Sequence, residues 1–163
     1  MMQIAGVGDT SRFRRICIWV NEGKSFMEEV EIVHLGNVKF EAVARGHRVV
    51  CDQPPANGGQ DTGMTPPEFL LASLGTCAGF YAAQYLKTRS LPAEGLKIKV
   101  TAEKMRQPAR LDRFQMSVTT PDLDPKDQAG VLRAVRSCLI HATLLNKPEV
   151  DIVLNAPVET PAS

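Results

Sequence analysis

Two of the four cysteines, Cys77 and Cys138, fall inside the two segments with helical patterning. Sulfurs brought together by packing of those helices could run a peroxidatic cycle. One thiolate attacks the O–O bond and becomes a sulfenic acid, and the second thiol condenses with it to a disulfide that a reductant reopens. The other reading of the same pair is packing, because free cysteine is among the most buried residue types and apolar surroundings make a thiol inert. His141 follows Cys138 by three residues, which places it on the same helix face. That pattern suits a packed histidine and also, more weakly, a Cys/His hydrolase. Glu68 precedes Cys77 by nine residues, about two and a half helical turns, so it cannot touch that sulfur within its own helix. Cys17 and Cys51 lie elsewhere, and the absence of any Cys-x-x-Cys pair argues against a structural zinc site. No metal and no cofactor is expected.

The elements that must position these residues are legible in outline. From Met27, the alternation of Val30, Ile32 and His34, the Gly36-Asn37 turn, Val38 to Ala44, the Arg45-Gly46 turn, and Val49 to Cys51 predict a three-strand antiparallel meander. Asp52 to Thr65 has loop composition, and a loop this long in a compact domain is usually functional or mobile. Thr65, Pro66 and Glu68 then form the signature of a helix start with a capping box. The helix is expected to run to about Thr88, apolar nearly all round, with small residues flanking Cys77. Leu96 to Lys104 and Arg113 to Thr119 read as a hairpin joined by Gln107 to Leu111. Asp124-Pro125 opens a second helix to about Leu145, with Val131, Val135, Cys138 and Ala142 on one stripe, and Glu149 to Leu154 reads as a last strand. The order β-β-β-α-β-β-α-β predicts an α+β fold with antiparallel sheets and two long central helices.

Length and charge narrow the function further. The 163 residues suit one domain, residues 27–163, preceded by an N-terminal extension, residues 1–26, that need not belong to the native start. A net charge of +1 gives no field to draw the chain to nucleic acid. The longest apolar run, Phe69 to Leu86, is broken by Ser73, Thr76 and Gln84, and the N-terminus lacks a signal-peptide pattern. No membrane partner is expected. A cytoplasmic protein is, and in that compartment thiols stay reduced and a disulfide is catalytic or sensory rather than structural.

The stretch from Gly63 to Cys77, GMTPPEFLLASLGTC, taken with Ser137 to Leu144, SCLIHATL, and with this element order, resembles the OsmC/Ohr family of thiol-dependent peroxidases. Gly58-Gly59-Gln60-Asp61 resembles the OsmC-like branch. The resemblance implies an intertwined homodimer with sites at its interface, reduction of organic hydroperoxides or hydrogen peroxide, and a dithiol reductant of lipoyl type. It places Cys77 at the peroxidatic position and Cys138 at the resolving one. The family's helix-start acid corresponds to Glu68, one place after its position in the hydroperoxide-resistance branch, where this chain has Pro67. The activating arginine comes from the early strands, where Arg45 and Arg48 are the candidates. A second function on the same fold is a binding or redox-sensing module without turnover.

Overall fold

The computed structural model describes residues 27–155. The leader with Cys17 and the Pro-rich tail lie outside that range. The predicted meander forms as β1 (Glu31–Gly36), β2 (Lys39–Ala44) and β3 (His47–Cys51), paired antiparallel in chain order. Both turns use left-handed backbone, at Asn37 (φ 52°) and Arg45 (φ 51°) beside Gly36 and Gly46. Ile32 pairs with Ala42, and Ala42 with Val49. The sheet's extensive contacts run between its own strands, and Val30, Ile32, Val33, Leu35 and Val49 stay exposed.

The loop from Asp52 to Thr65 is pinned rather than loose. Asp52 is buried, and its carboxylate accepts hydrogen bonds from the Gln53, Gln60 and Thr62 amides and from the Thr62 hydroxyl, with Lys39 Nζ at 3.9 Å. Those donors favour the ionised form and hold its carboxyl well below the usual carboxylate range, against burial, which acts the other way. Gly59 is required at this crossing, because a Cβ there would lie 1.8 Å from the Gln53 carbonyl oxygen.

Helix α1 (Pro66–Thr88) starts and stops where the sequence predicts. The Thr65 amide and hydroxyl both donate to Glu68, at 2.7 and 2.8 Å, closing the capping box. By length and composition α1 is apolar enough to cross a membrane. Here Leu74, Ala78, Ala82, Tyr85 and Leu86 are buried. Its glycines let the hairpin close in, since Cβ atoms at Gly75 and Gly79 would sit 3.2 and 3.5 Å from Val100 and Ile98. The hairpin pairs β4 (Lys97–Arg106) with β5 (Ala109–Thr119). The ladder reaches Arg106 opposite Ala109, so residues 109–111, expected in the connector, belong to the second strand.

Two expectations need correction. The second helix is not continuous: α2 (Pro125–Arg136) ends, Ser137 and Cys138 leave helical geometry, and α3 (Leu139–Leu145) begins again. Cys138 faces inward with Val131 and Val135 as expected, but as a helix cap, because the Ser137 and Cys138 amides turn back to the Ala134 and Val135 carbonyls, and Ala142 beyond the break is exposed. The strand expected over Glu149 to Leu154 does not form among the described residues, where 147–155 carry no regular secondary structure and Ile152 and Leu154 are 92% and 91% exposed. A strand needs an edge to pair with, and alternation supplies only the side chains.

The core lies where α1 packs on α2 and on the β4–β5 sheet, with Ala78, Ala82, Leu86 and Val131 fully enclosed. The Tyr85 hydroxyl donates to buried Asp127 at 2.8 Å, and Arg89 reaches the same carboxylate at 3.2 Å. Gly130 lets the tyrosine pass, because a Cβ there would fall 2.0 Å from its hydroxyl oxygen.

Candidate functional site

Cys77 lies in the middle of α1, three residues past Leu74 and one before the enclosed Ala78, and is half-buried. Cys138 lies at the break between α2 and α3 and is fully enclosed. The clamp of Tyr85 and Arg89 on Asp127 fixes α2 against α1, and the break then presents Cys138 to α1. The result is a dithiol: the Cys138 sulfur neighbours Cys77 closely enough for that thiol to affect its ionisation, and lies 4.0 Å from the Leu74 carbonyl oxygen.

Burial is the main cause that pushes the Cys138 thiol up, to about 11, with the Cys77 sulfur adding to it and the His141 and Ile140 amides opposing it. Cys138 is thus a neutral thiol at neutral pH. The His141 amide donates to this sulfur at 3.4 Å, while the imidazole turns away, its Nδ1 3.4 Å from the Arg136 carbonyl oxygen. The spacing of three residues reports a backbone cap, and the Cys138–His141 base pairing that a hydrolase needs is not formed.

The remaining candidates lie elsewhere. Glu68 is held at the start of α1 by Thr65, which keeps its carboxyl below the ordinary range. Arg48 pairs with Glu41 across the meander, and Arg45 sits in the β2–β3 turn. Cys51 ends β3, where burial first and the neighbouring Asp52 second push its thiol up, away from nucleophilic use. Among the described residues, no group of three or more His, Cys, Asp or Glu could hold a metal ion.

Sequence reasoning missed a cavity of about 700 Å³ beside the dithiol. Leu74, Phe114, Met116, Val135 and Leu144 line it with Arg113, Arg136 and His141, so α1, β5, α2 and α3 all contribute. Only the alternation of β5 hinted at it, since Phe114, Met116 and Val118 share one face. Asp52 was also missed: its position at the end of a strand gives no sign that four donors converge on it.

Residues 58–153 match the family described as OsmC-like protein, a span that includes both cysteines and most of the loop. An OsmC-like protein from Mycoplasma pneumoniae superposes with a TM-score of 0.62 at 16% identity, covering 76% of this chain and 91% of its own. A protein from Psychrobacter arcticus 273-4, named for osmotic stress induction and a detoxification response, gives 0.66 at 18% identity, covering 75% and 91%. An organic hydroperoxide resistance protein from Elizabethkingia anophelis gives 0.53 at 15% identity, covering 77% and 93%. No curated protein sequence matches this one.

Proposed function

The chain belongs to the OsmC/Ohr family, and from that premise we propose that it is a thiol-dependent peroxidase of oxidative-stress defence that reduces organic hydroperoxides, or hydrogen peroxide, in the cytoplasm. The observation that carries this reading is the dithiol formed by Cys77 on a rigid helix and the enclosed Cys138 at a helix break. Cys77, as thiolate, attacks the distal peroxide oxygen. An S–O bond forms, the O–O bond breaks, and the alkoxide leaves and takes up a proton. Cys138 then attacks the sulfenic sulfur as its proton passes to the departing hydroxyl, so that the S–S bond forms, the S–O bond breaks and water leaves. Two electrons pass from the two thiols to the peroxide, and a lipoyl-type dithiol returns them. The apolar residues Phe69, Phe80 and Tyr81 of α1 favour a bulky organic peroxide.

Charge developing at the leaving oxygen calls for a cation. The candidates Arg45 and Arg48 lie on a sheet whose apolar residues are exposed and whose extensive contacts stay within itself. Exposed apolar surface of this kind suits an intertwined homodimer in which a second copy carries its meander arginine to the Cys77 site, with Glu68 orienting it. Residues 27–163 form the working domain in this reading.

The test is peptide mass spectrometry of reduced protein after one equivalent of cumene hydroperoxide and then dihydrolipoamide. A Cys77–Cys138 disulfide forming within seconds and then opening is the expected result. Unchanged cumene hydroperoxide with Cys77 still a thiol overturns it. A binding or redox-sensing module is favoured by the cavity of about 700 Å³, and predicts stoichiometric oxidation with no turnover under any dithiol.

A further inference from the structure

Cys138 does two things in the reduced protein. Its sulfur faces Cys77, and the same sulfur accepts the His141 amide as the N-cap of α3, with the Cys138 carbonyl taking the Ala142 amide at 3.0 Å. Helix α3 has seven residues, too few to be stable alone, and Leu139 and Leu145 on it are 66% and 71% exposed. Its cap and its contact with α1 are what hold it. His141, Leu144 and Leu145 of this helix form one wall of the cavity beside the dithiol.

We propose that Cys138 is a redox-switched helix cap: forming the Cys77–Cys138 disulfide removes the cap of α3 and loosens the cavity wall it carries. The inference rests on the peroxidase reading for the disulfide's origin in the cell, but the coupling itself needs only the bond. A disulfide demands a particular Cβ–Sγ–Sγ–Cβ geometry, and Cys77 is held in the middle of the 23-residue α1, so the adjustment falls on the short segment around Cys138. The sulfur must turn toward Cys77, and its direction is then fixed by the S–S bond rather than by the His141 amide. The consequence is directional. The reduced protein encloses Cys138 completely, whereas the oxidised protein opens α3 and gives a dithiol reductant a route to the bond.

The experiment is hydrogen exchange across residues 137–146 of the full chain, reduced, oxidised with diamide, and oxidised with one equivalent of cumene hydroperoxide, with the linkage confirmed by peptide mapping. Diamide-oxidised protein is expected to exchange the His141 and Ala142 amides roughly fivefold faster than reduced protein, as loss of a cap implies. Reduced Cys138→Ala should match the oxidised protein, while reduced Cys138→Ser, which keeps a capping side chain, should stay protected. A confirmed disulfide with exchange unchanged overturns the switch and leaves the peroxidase reading standing. Faster exchange with diamide but no linkage with the hydroperoxide sustains the switch and overturns the peroxidase. Equal exchange in the Ala and Ser variants also overturns it, because the sulfur is then no cap.

Discussion

Helix α1 with α2 and the β4–β5 sheet encloses Ala78, Ala82, Leu86 and Val131 completely, whereas the meander leaves Val30 58% and Ile32 59% exposed. Both regions are rich in apolar residues, and among the described residues only the first finds a surface to bury them on. The difference separates the components of the proposed reaction. The dithiol is assembled inside the packed region from two elements of one chain, while the candidate arginines ride on the region that lacks a cover. The proposed second copy would meet both features at once, covering exposed apolar surface and bringing a meander arginine toward Cys77.

The sharpest way to break the comparison is to remove the nucleophile. Cys77→Ser should lower hydroperoxide consumption to the uncatalysed rate with the fold intact, and Cys138→Ser should leave a sulfenic acid on Cys77 that a dimedone adduct records by mass. Arg48→Ala asks whether the open region contributes chemistry. Its exposed pair with Glu41 contributes under about 1 kcal/mol to stability, so a melt should barely move while kcat/KM falls at least tenfold if this arginine completes the site. An unchanged rate with Arg48→Ala and a fall with Arg45→Ala would transfer the role.

Packing gives the next largest effects. Leu86→Ala should cost about 2–5 kcal/mol in urea unfolding, as a fully enclosed leucine does. Ile32→Ala should cost about 0.5 kcal/mol or less in dilute protein. If the two cost the same, the meander is covered in solution, and sedimentation should then show a dimer that Ile32→Asp dissociates. Tyr85→Phe, which takes a hydroxyl from buried Asp127, should cost about 1–2 kcal/mol and leave turnover unchanged.

The smallest effects are in pH. Asp52 has a folded pKa below its ordinary 3.8, so its contribution to stability is present above that value and is lost as pH falls through the lower folded value. Thermal melts of Asp52→Asn should therefore lie below wild type at neutral pH and converge with it in acid. Cys138 acts in the opposite direction. Its folded pKa of about 11 exceeds the unfolded 9.0, so its contribution is complete below pH 9 and is lost as pH rises toward 11, a loss that Cys138→Ser should not show.

Local rules made much of this legible beforehand. The capping box of Thr65 and Glu68, the turns at Asn37 and Arg45, and the alternation of the meander each depend on neighbours a few residues away, and each formed as the residue pattern required. The α+β class and the spans of α1 and of the first three strands belong to the same kind of information. Tertiary structure decided the rest. Whether 125–145 is one helix or two turned on the packing of Cys138 against α1, because a continuous helical stripe and a break with a buried cap draw on the same apolar residues. The missing last strand shows the same limit, since Glu149 to Leu154 alternates well and pairing depends on an edge far away in sequence or on another chain. That Cys77 and Cys138 meet and that a cavity opens beside the dithiol are outcomes of contacts across tens of residues, and the four donors that converge on Asp52 come from an irregular loop up to ten residues away that no periodicity describes. Periodicity carries the direction in which a side chain points, and only packing decides what it meets there.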